Sequence, residues 1–379
     1  MARLSARGLL AALAVALAAP VFAAAPARVS PTRPAAPLLW PTARFADADY
    51  VDAREIAERY GLKIAREKGG QVLRFTEGAK VRLVLEDHNR DFYFDGLRVF
   101  LGRPALGARG TLWVSKLDVI KLLAPLLRPR DHARLLPAAA PQTIVLDAGH
   151  GGTDPGKENR TVGVNEKTLA LDVVLRLKKL LEAQGWRVLL TRSGDTRLAA
   201  DQITDLRRRA EFANQHRADL FLSVHFNSAP APITGVETYT MAPQFMLSTA
   251  DDRKDEMTDK AFPGNKHDDA NLLLGEQLHR ALLAGLQTPD RGFKRGRLHV
   301  LRFIACPGAL VECAYLSSDA EARRAATPEF REQIARALAD GLKKYSAALE
   351  ALRPQSGASA PAAPPPSNSP PPARPARSA

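Results

Sequence analysis

Four side chains, far apart along the chain, have the types needed for metal-assisted hydrolysis. His150 stands in Asp147-Ala-Gly-His-Gly-Gly152, and Glu166 follows Asn165 at the start of an apolar-periodic stretch. His225 stands in Ser223-Val-His-Phe-Asn227, and Glu312 in Leu310-Val-Glu-Cys-Ala-Tyr-Leu-Ser317. Two imidazoles and a carboxylate at one edge form the ligand set of a catalytic zinc site, with three protein ligands and an open position for water. Glycines around His150 let the backbone turn sharply and approach a substrate closely. With only 2 cysteines in 379 residues, a cysteine-built metal cluster is excluded. Taken singly, each signal is weak. A histidine at a strand end is ordinarily a satisfied surface or core residue, and an acid in a first helical turn ordinarily complements the helix dipole. The combination is informative only if the chain brings the four to one place.

The elements predicted to do so alternate in period. Thr143–Asp147 reads as a buried strand, Glu166–Gln184 as a helix capped by Asn165 and ended by Gly185, and Trp186–Leu190 as a strand. A helix over Asp201–His216, a strand over Asp219–His225, a strand over Gly235–Thr240 and a helix over Ala270–Leu286 follow. Strands at Leu298–Arg302 and Ala309–Glu312 and a long helix over Thr327–Leu349 complete the series. Strands alternating with helices predict an α/β domain over about 141–350, with a mostly parallel sheet flanked by helices. In such sheets ligands sit beyond the carboxyl ends of the strands, where His150, His225 and Glu312 are expected.

A small α+β module is expected at 45–137. Tyr50–Gly61 reads as a strand turning into a helix capped by Asp52 and ended by Gly61. Alternating runs at Val72–Phe75, Val81–Glu86, Phe92–Phe94 and Leu97–Leu101 read as hairpin strands. Thr111–Leu123 then repeats the strand, cap and helix pattern, with Ser115 as the cap. His88 and His132 look like isolated surface residues. This module loosely resembles the stalk-type N-terminal domain of copper amine oxidases.

Residues 1–25 have the basic start, apolar run and small-residue end of a signal peptide. The apolar run is about a dozen residues, short of the roughly 20 that span a bilayer. Residues 26–44 read as a Pro/Ala-rich linker and 351–379 as a disordered Pro/Ala-rich tail. The net charge of +13 favours contact with anionic envelope polymers. No zinc-finger spacing, helix-turn-helix signal or basic-aromatic stripe points to nucleic acid, and runs such as Arg207-Arg208-Arg209 read as a solvated helix face.

The motifs around His150, Asn165-Glu-Lys, Thr191-Arg192, Ser223–Ser228, Gly235-Val-Glu-Thr-Tyr239 and Leu310–Ser317 resemble, in order and approximate spacing, the zinc-dependent N-acetylmuramoyl-L-alanine amidases of the AmiC type. The resemblance covers 141–350. It implies one zinc held by His150, Glu166 and His225, with Glu312 as catalytic acid/base. It also implies peptidoglycan as substrate, cut between N-acetylmuramic acid and the L-alanine of the stem peptide, with an exported protein in the periplasm or cell envelope. A silent wall-binding or activator protein on the same fold, or a zinc amidohydrolase for another amide, are the alternatives. Asp147 and Asn227 are expected to fix loops, and Glu237 to be structural or substrate-facing. The acidic segment 241–269 reads as a solvated loop or as a lid whose carboxylate takes the open zinc position, with an activator protein acting on it. A monomer is expected. Cys306 and Cys313, roughly 20 Å apart if the chain between them is extended, are too distant for a disulfide and are expected as buried thiols.

Overall fold

The computed structural model describes residues 40–230 and 233–353. The expected signal peptide and most of the expected linker and tail lie outside them. The architecture is built on one sheet of eleven strands among the described residues. Numbered along the chain, these are β1 (Lys63–Glu67), β2 (Val72–Glu77), β3 (Lys80–Glu86), β4 (Asp91–Phe94), β5 (Leu97–Phe100), β6 (Thr143–Ala148), β7 (Arg187–Leu190), β8 (Leu220–Asn227), β9 (Val236–Met241), β10 (Asp290–Gly296) and β11 (Gly308–Tyr315). Their spatial order is β7-β6-β8-β11-β9-β10-β5-β4-β3-β2-β1.

Strands β7, β6, β8 and β11 are parallel, as βαβ crossovers require. Strand β9 enters antiparallel to β11, and β10 is parallel to β9. Strand β5 pairs with β10 through Val99 and Phe293, so the antiparallel meander β1–β5 continues the larger sheet.

The helices are α1 (Ala53–Tyr60), α2 (Glu166–Glu182), α3 (Gln202–Gln215), α4 (Asp268–Leu286), α5 (His299–Phe303), α6 (Asp319–Ala326) and α7 (Pro328–Leu352). Helix α2 places Leu169, Val173, Leu177 and Leu181 on one stripe, which packs with α4 and α7 against one face of the sheet. Helices α3 and α5 cover part of the other face through Ala210, Ala213, Val300 and Leu301, against Val145, Phe221 and Leu310. A third core joins α1, the helical segment 116–127 and β2–β5 to Leu272 and Phe293 of the later chain.

The caps follow the sequence. Asp52, Ser115 and Asn165 each accept a backbone N–H of the following turn, and Gly61 closes α1 in the left-handed region at φ 65°. Some assignments differ from expectation, among them the strand Lys63–Glu67, which had no expected counterpart. Residues 298–302 were expected as a strand, but His299–Phe303 is a short helix. The strand Asp290–Gly296 and the helix Asp319–Ala326 had no expected counterpart. Cys306 and Cys313 are buried free thiols. No helix among the described residues is long and apolar enough to cross a membrane.

Candidate metal centre

The parallel strands β6 and β8 run side by side with Asp147 opposite Ser223 and Ala148 opposite Val224. The chain leaves β6 at Ala148 and turns at Gly149, so His150 arrives above the end of β8, where His225 points to the same side. His150 itself has φ 60°, a left-handed conformation that a non-glycine residue holds only against resistance. Gly149 has no room for a methyl group, because a Cβ there would run into the His225 ring. Gly156 is equally constrained, as a Cβ there would lie 2.6 Å from both Glu166 Oε2 and His150 Cδ2.

Glu166 opens α2, and its first-turn position aims the carboxylate between the two imidazoles. Its Oε1 lies 2.8 Å from His225 Nδ1 and 3.1 Å from His150 Nε2. One ligand-type atom from each of the three residues falls within 4.8 Å of the others. The rings meet edge to face with centroids 5.0 Å apart. The Phe226 N–H donates to Glu166 Oε1 and the Lys157 N–H to Oε2. Burial pushes the Glu166 carboxyl up, but contacts with His150 and His225 outweigh it and hold the group far below its usual range. His150 is likewise opposed by burial and held up by Glu166 and Asp154.

Glu312 lies on β11 directly across from His225. Its Oε2 is shut away from solvent, with no hydrogen-bond partner among the described residues. Burial first, then the neighbouring carboxylates Glu166 and Glu237, push its carboxyl well above the ordinary range. Two imidazoles, one ionised carboxylate and a sheltered, unpaired acid are a donor set suited to zinc: N and O ligands, a single ligand carboxylate, and a proton carrier beside them. The second nitrogen of His150 is also fixed in the manner of zinc ligands, since Nδ1 meets Asp154 Oδ2 at 2.9 Å.

Beneath the site, two buried arginines hold the turn that carries His150. Arg209 of α3 donates to Asp147 Oδ1 and the Ala148 carbonyl, both at 2.8 Å, to the His150 carbonyl at 2.7 Å and to Asp205. Arg192 donates to the carbonyls of Ala148, Gly149 and Lys167. Asp147 also accepts from Thr191 and Ser223. The expectation of a solvated face for Arg207-Arg208-Arg209 therefore fails at Arg209, which is 2% exposed.

Asn227 and Glu237 lie together, with the Asn227 side chain donating to Glu237 Oε2 at 3.1 Å. Glu237 is buried and also accepts from Tyr239, Tyr315 and Lys294.

Sequence reasoning missed Asp154, Arg192 and Arg209 as supports of the site. The signal for Asp154 was its place four residues after His150 in a glycine-rich turn. Of the two histidines expected as isolated surface residues, His132 instead contacts Asp269; elsewhere, His279 is fully buried between Thr238 and Asp290.

The segment 241–269 is not a lid over this site. Strand β9 runs antiparallel to β11, so Met241 lies past the pair Thr240 and Ala309, toward the end of the sheet where β8 and β11 begin. That is about 13 Å along the strands from Glu312. There the segment is tied down by Arg90, which donates to the carbonyls of Ser248, Thr249 and Asp251, and by Arg297, which donates to those of Pro243, Met246 and Thr258.

Comparison with known proteins falls on the part of the chain that carries this centre. The profile described as N-acetylmuramoyl-L-alanine amidase matches residues 144–344. The chain belongs to that family. Over 206 residues it is 32% identical to an uncharacterised cell wall amidase of Bacillus anthracis, a match covering 54% of this chain and 35% of that protein. Over 203 residues it is 32% identical to the sporulation-specific N-acetylmuramoyl-L-alanine amidase of Bacillus subtilis strain 168, covering 53% of this chain and 67% of that one. Among solved structures, the catalytic domain of CwlV, an N-acetylmuramoyl-L-alanine amidase from Bacillus (Paenibacillus) polymyxa, aligns with 28% identity and a TM-score of 0.44, covering 54% of this chain and 97% of that chain.

Proposed function

We propose that this amidase-family chain is an exported, zinc-dependent peptidoglycan hydrolase that cuts the amide between N-acetylmuramic acid and the L-alanine of the stem peptide. The observation that carries the reading is the convergence of His150, Glu166 and His225 beside the unpaired, sheltered carboxyl of Glu312. The first three would hold one zinc ion. When bound, that ion supplies Lewis-acid polarisation of a carbonyl and lowers the pKa of water toward neutrality.

The chain's own residues do the rest. Glu312 Oε2 takes a proton from the attacking water and returns it to the departing amine of L-alanine, which makes the amine a competent leaving group. Burial, more than any neighbouring charge, raises its proton affinity. Glu237, fixed by Tyr239, Tyr315, Asn227 and Lys294, presents a stationary negative charge next to Glu312 and supports that affinity. Asp154 orients His150, and Arg192 and Arg209 hold the turn beneath it.

A silent wall-binding protein on the same fold is not favoured, because all four groups are present and meet at one edge. The signal-like residues 1–25, the cell-wall substrate and the net charge of +13 support a periplasmic or envelope location. The strand and helix pattern of 45–137 supports a stalk-type module.

The deciding experiment incubates the mature protein with purified sacculi, with and without a chelator, and identifies released material by mass spectrometry. Free stem peptides beginning with L-alanine, lost on chelation and restored by zinc, are expected. Release of disaccharide-linked fragments, or of peptides cut within the stem, would overturn the proposal.

A further inference from the structure

The meander β1–β5 buries one face and leaves the other open. Along β4 and β5, Phe92, Phe94, Leu97 and Val99 are buried, whereas the alternate residues Tyr93, Arg98 and Phe100 face solvent to varying degrees. Because β5 pairs with β10, this open face continues the face of the sheet that carries Glu312.

A row of neighbouring side chains runs along it. Glu312 lies across from Glu237, and Glu237 receives the Lys294 ammonium at 2.5 Å. Lys294 Nζ sits 5.5 Å from the centre of the Phe100 ring, and the Arg98 guanidinium lies 5.1 Å from the same ring. Arg98 is paired with Asp91 at 2.7 Å and is directly across from Tyr93, a residue 46% exposed. Four strand spacings separate Glu312 from Tyr93, about 19 Å.

We propose that this row binds the glycan strand of the substrate, a polymer of N-acetylated amino sugars, outward from the scissile bond. The proposal rests on the amidase reading above. Its chemistry fits a sugar better than a peptide. Half-exposed aromatic rings offer apolar platforms for the C–H faces of pyranose rings. The Arg98–Asp91 pair offers donors and acceptors side by side for hydroxyl and acetamido groups. Both cations of the row are already matched by carboxylates, Arg98 by Asp91 and Lys294 by Glu237.

The test measures binding of N-acetylglucosamine hexasaccharide to the full chain by calorimetry, beside a free stem peptide. It then compares turnover on sacculi with turnover on a muropeptide carrying a single sugar. Tyr93→Ser and Phe100→Ser are each expected to weaken hexasaccharide binding roughly tenfold and to lower the sacculus-to-muropeptide turnover ratio by a similar factor. Phe245→Ser, on the segment 241–269 at the other end of the strands, is expected to leave hexasaccharide binding as it was.

Hexasaccharide binding that is undetectable in the unmodified chain, or equal in Tyr93→Ser and the unmodified chain, overturns the proposal. So does stem-peptide binding that Tyr93→Ser abolishes while sugar binding stays. A chain that releases no stem peptide from either substrate sinks the amidase reading, and the hexasaccharide measurement still decides whether this face takes sugar.

Discussion

Two buried polar regions lie at opposite ends of the same sheet, and their contrast shows how this chain spends its buried charge. Under the candidate metal centre, Asp147 and Arg209 are almost wholly removed from solvent, at 1% and 2% exposure. Burial alone would push the Asp147 carboxyl up, but Arg209, with the Ser223 and Thr191 hydroxyls, brings it below the usual range. At the other end, Arg295 of β10 is also 2% exposed, yet none of its guanidinium nitrogens has a hydrogen-bond partner among the described residues. Burial lowers it to about 10, against the pull of Asp268, Asp269 and Asp118. Asp118, 1% exposed, is pushed up to about 6 by burial, which the N–H groups of Gly102 and Arg103 and the charge of Arg90 only partly offset. A fully bonded ion network is rigid and specifies a geometry, whereas an under-bonded one mainly costs stability. The chain places the first where a strained turn must be held and the second where the module meets α4.

The sharpest way to break this contrast is to remove each arginine. Arg209→Met leaves Asp147 and Asp205 buried without their cation and should cost about 3 to 5 kcal/mol in denaturant unfolding. Arg295→Met removes an unpaired buried charge and should change stability by under about 1 kcal/mol or raise it. Equal losses in the two variants would mean that Arg295 has partners of equal worth.

A smaller effect is expected from pH. Because Asp118 has a folded pKa of about 6 against an ordinary value of 3.8, its favourable contribution is complete below about pH 3.8 and is lost as pH rises through about 6. The shift corresponds to at most about 3 kcal/mol. Comparing unfolding free energies of the unmodified chain and Asp118→Asn from pH 4 to pH 7 isolates it: the unmodified chain should lose stability relative to the variant. A gap independent of pH would place the proton elsewhere.

The smallest effect concerns a single hydroxyl. Ser223→Ala removes one donor to Asp147 and should cost about 1 to 2 kcal/mol, since Arg209 and Thr191 remain. A loss as large as that of Arg209→Met would show that the network fails as a unit.

The sequence exposed the residues of the site better than it exposed their supports. His150, Glu166, His225 and Glu312 were legible because each closes or opens a strongly patterned element. The arginines were not, because a run of three on a helix reads as solvated. Yet Arg209 follows Asp205 by four positions and sits beside Ala210 and Ala213, on the inward stripe of α3, so its register was a usable signal.

Strand β10 was missed for a different reason. Its sequence, Asp290-Arg-Gly-Phe-Lys-Arg-Gly296, has one apolar residue and no alternation, and it is a strand because β9 and β5 flank it on both sides. His299–Phe303 was misread because a five-residue apolar-rich run fits helix and strand equally well. The segment 241–269 could not be placed without topology: only the antiparallel entry of β9 shows that it leaves the sheet at the end away from the site.

The central claim is that Glu312 moves the proton at a centre whose metal is held by three other residues. Zinc per chain and stem-peptide release, measured together on Glu312→Gln, test it most directly. The account predicts about one zinc per chain, as in the unmodified protein, with release reduced by roughly a thousandfold or more. Full zinc loading with near-normal release would contradict it.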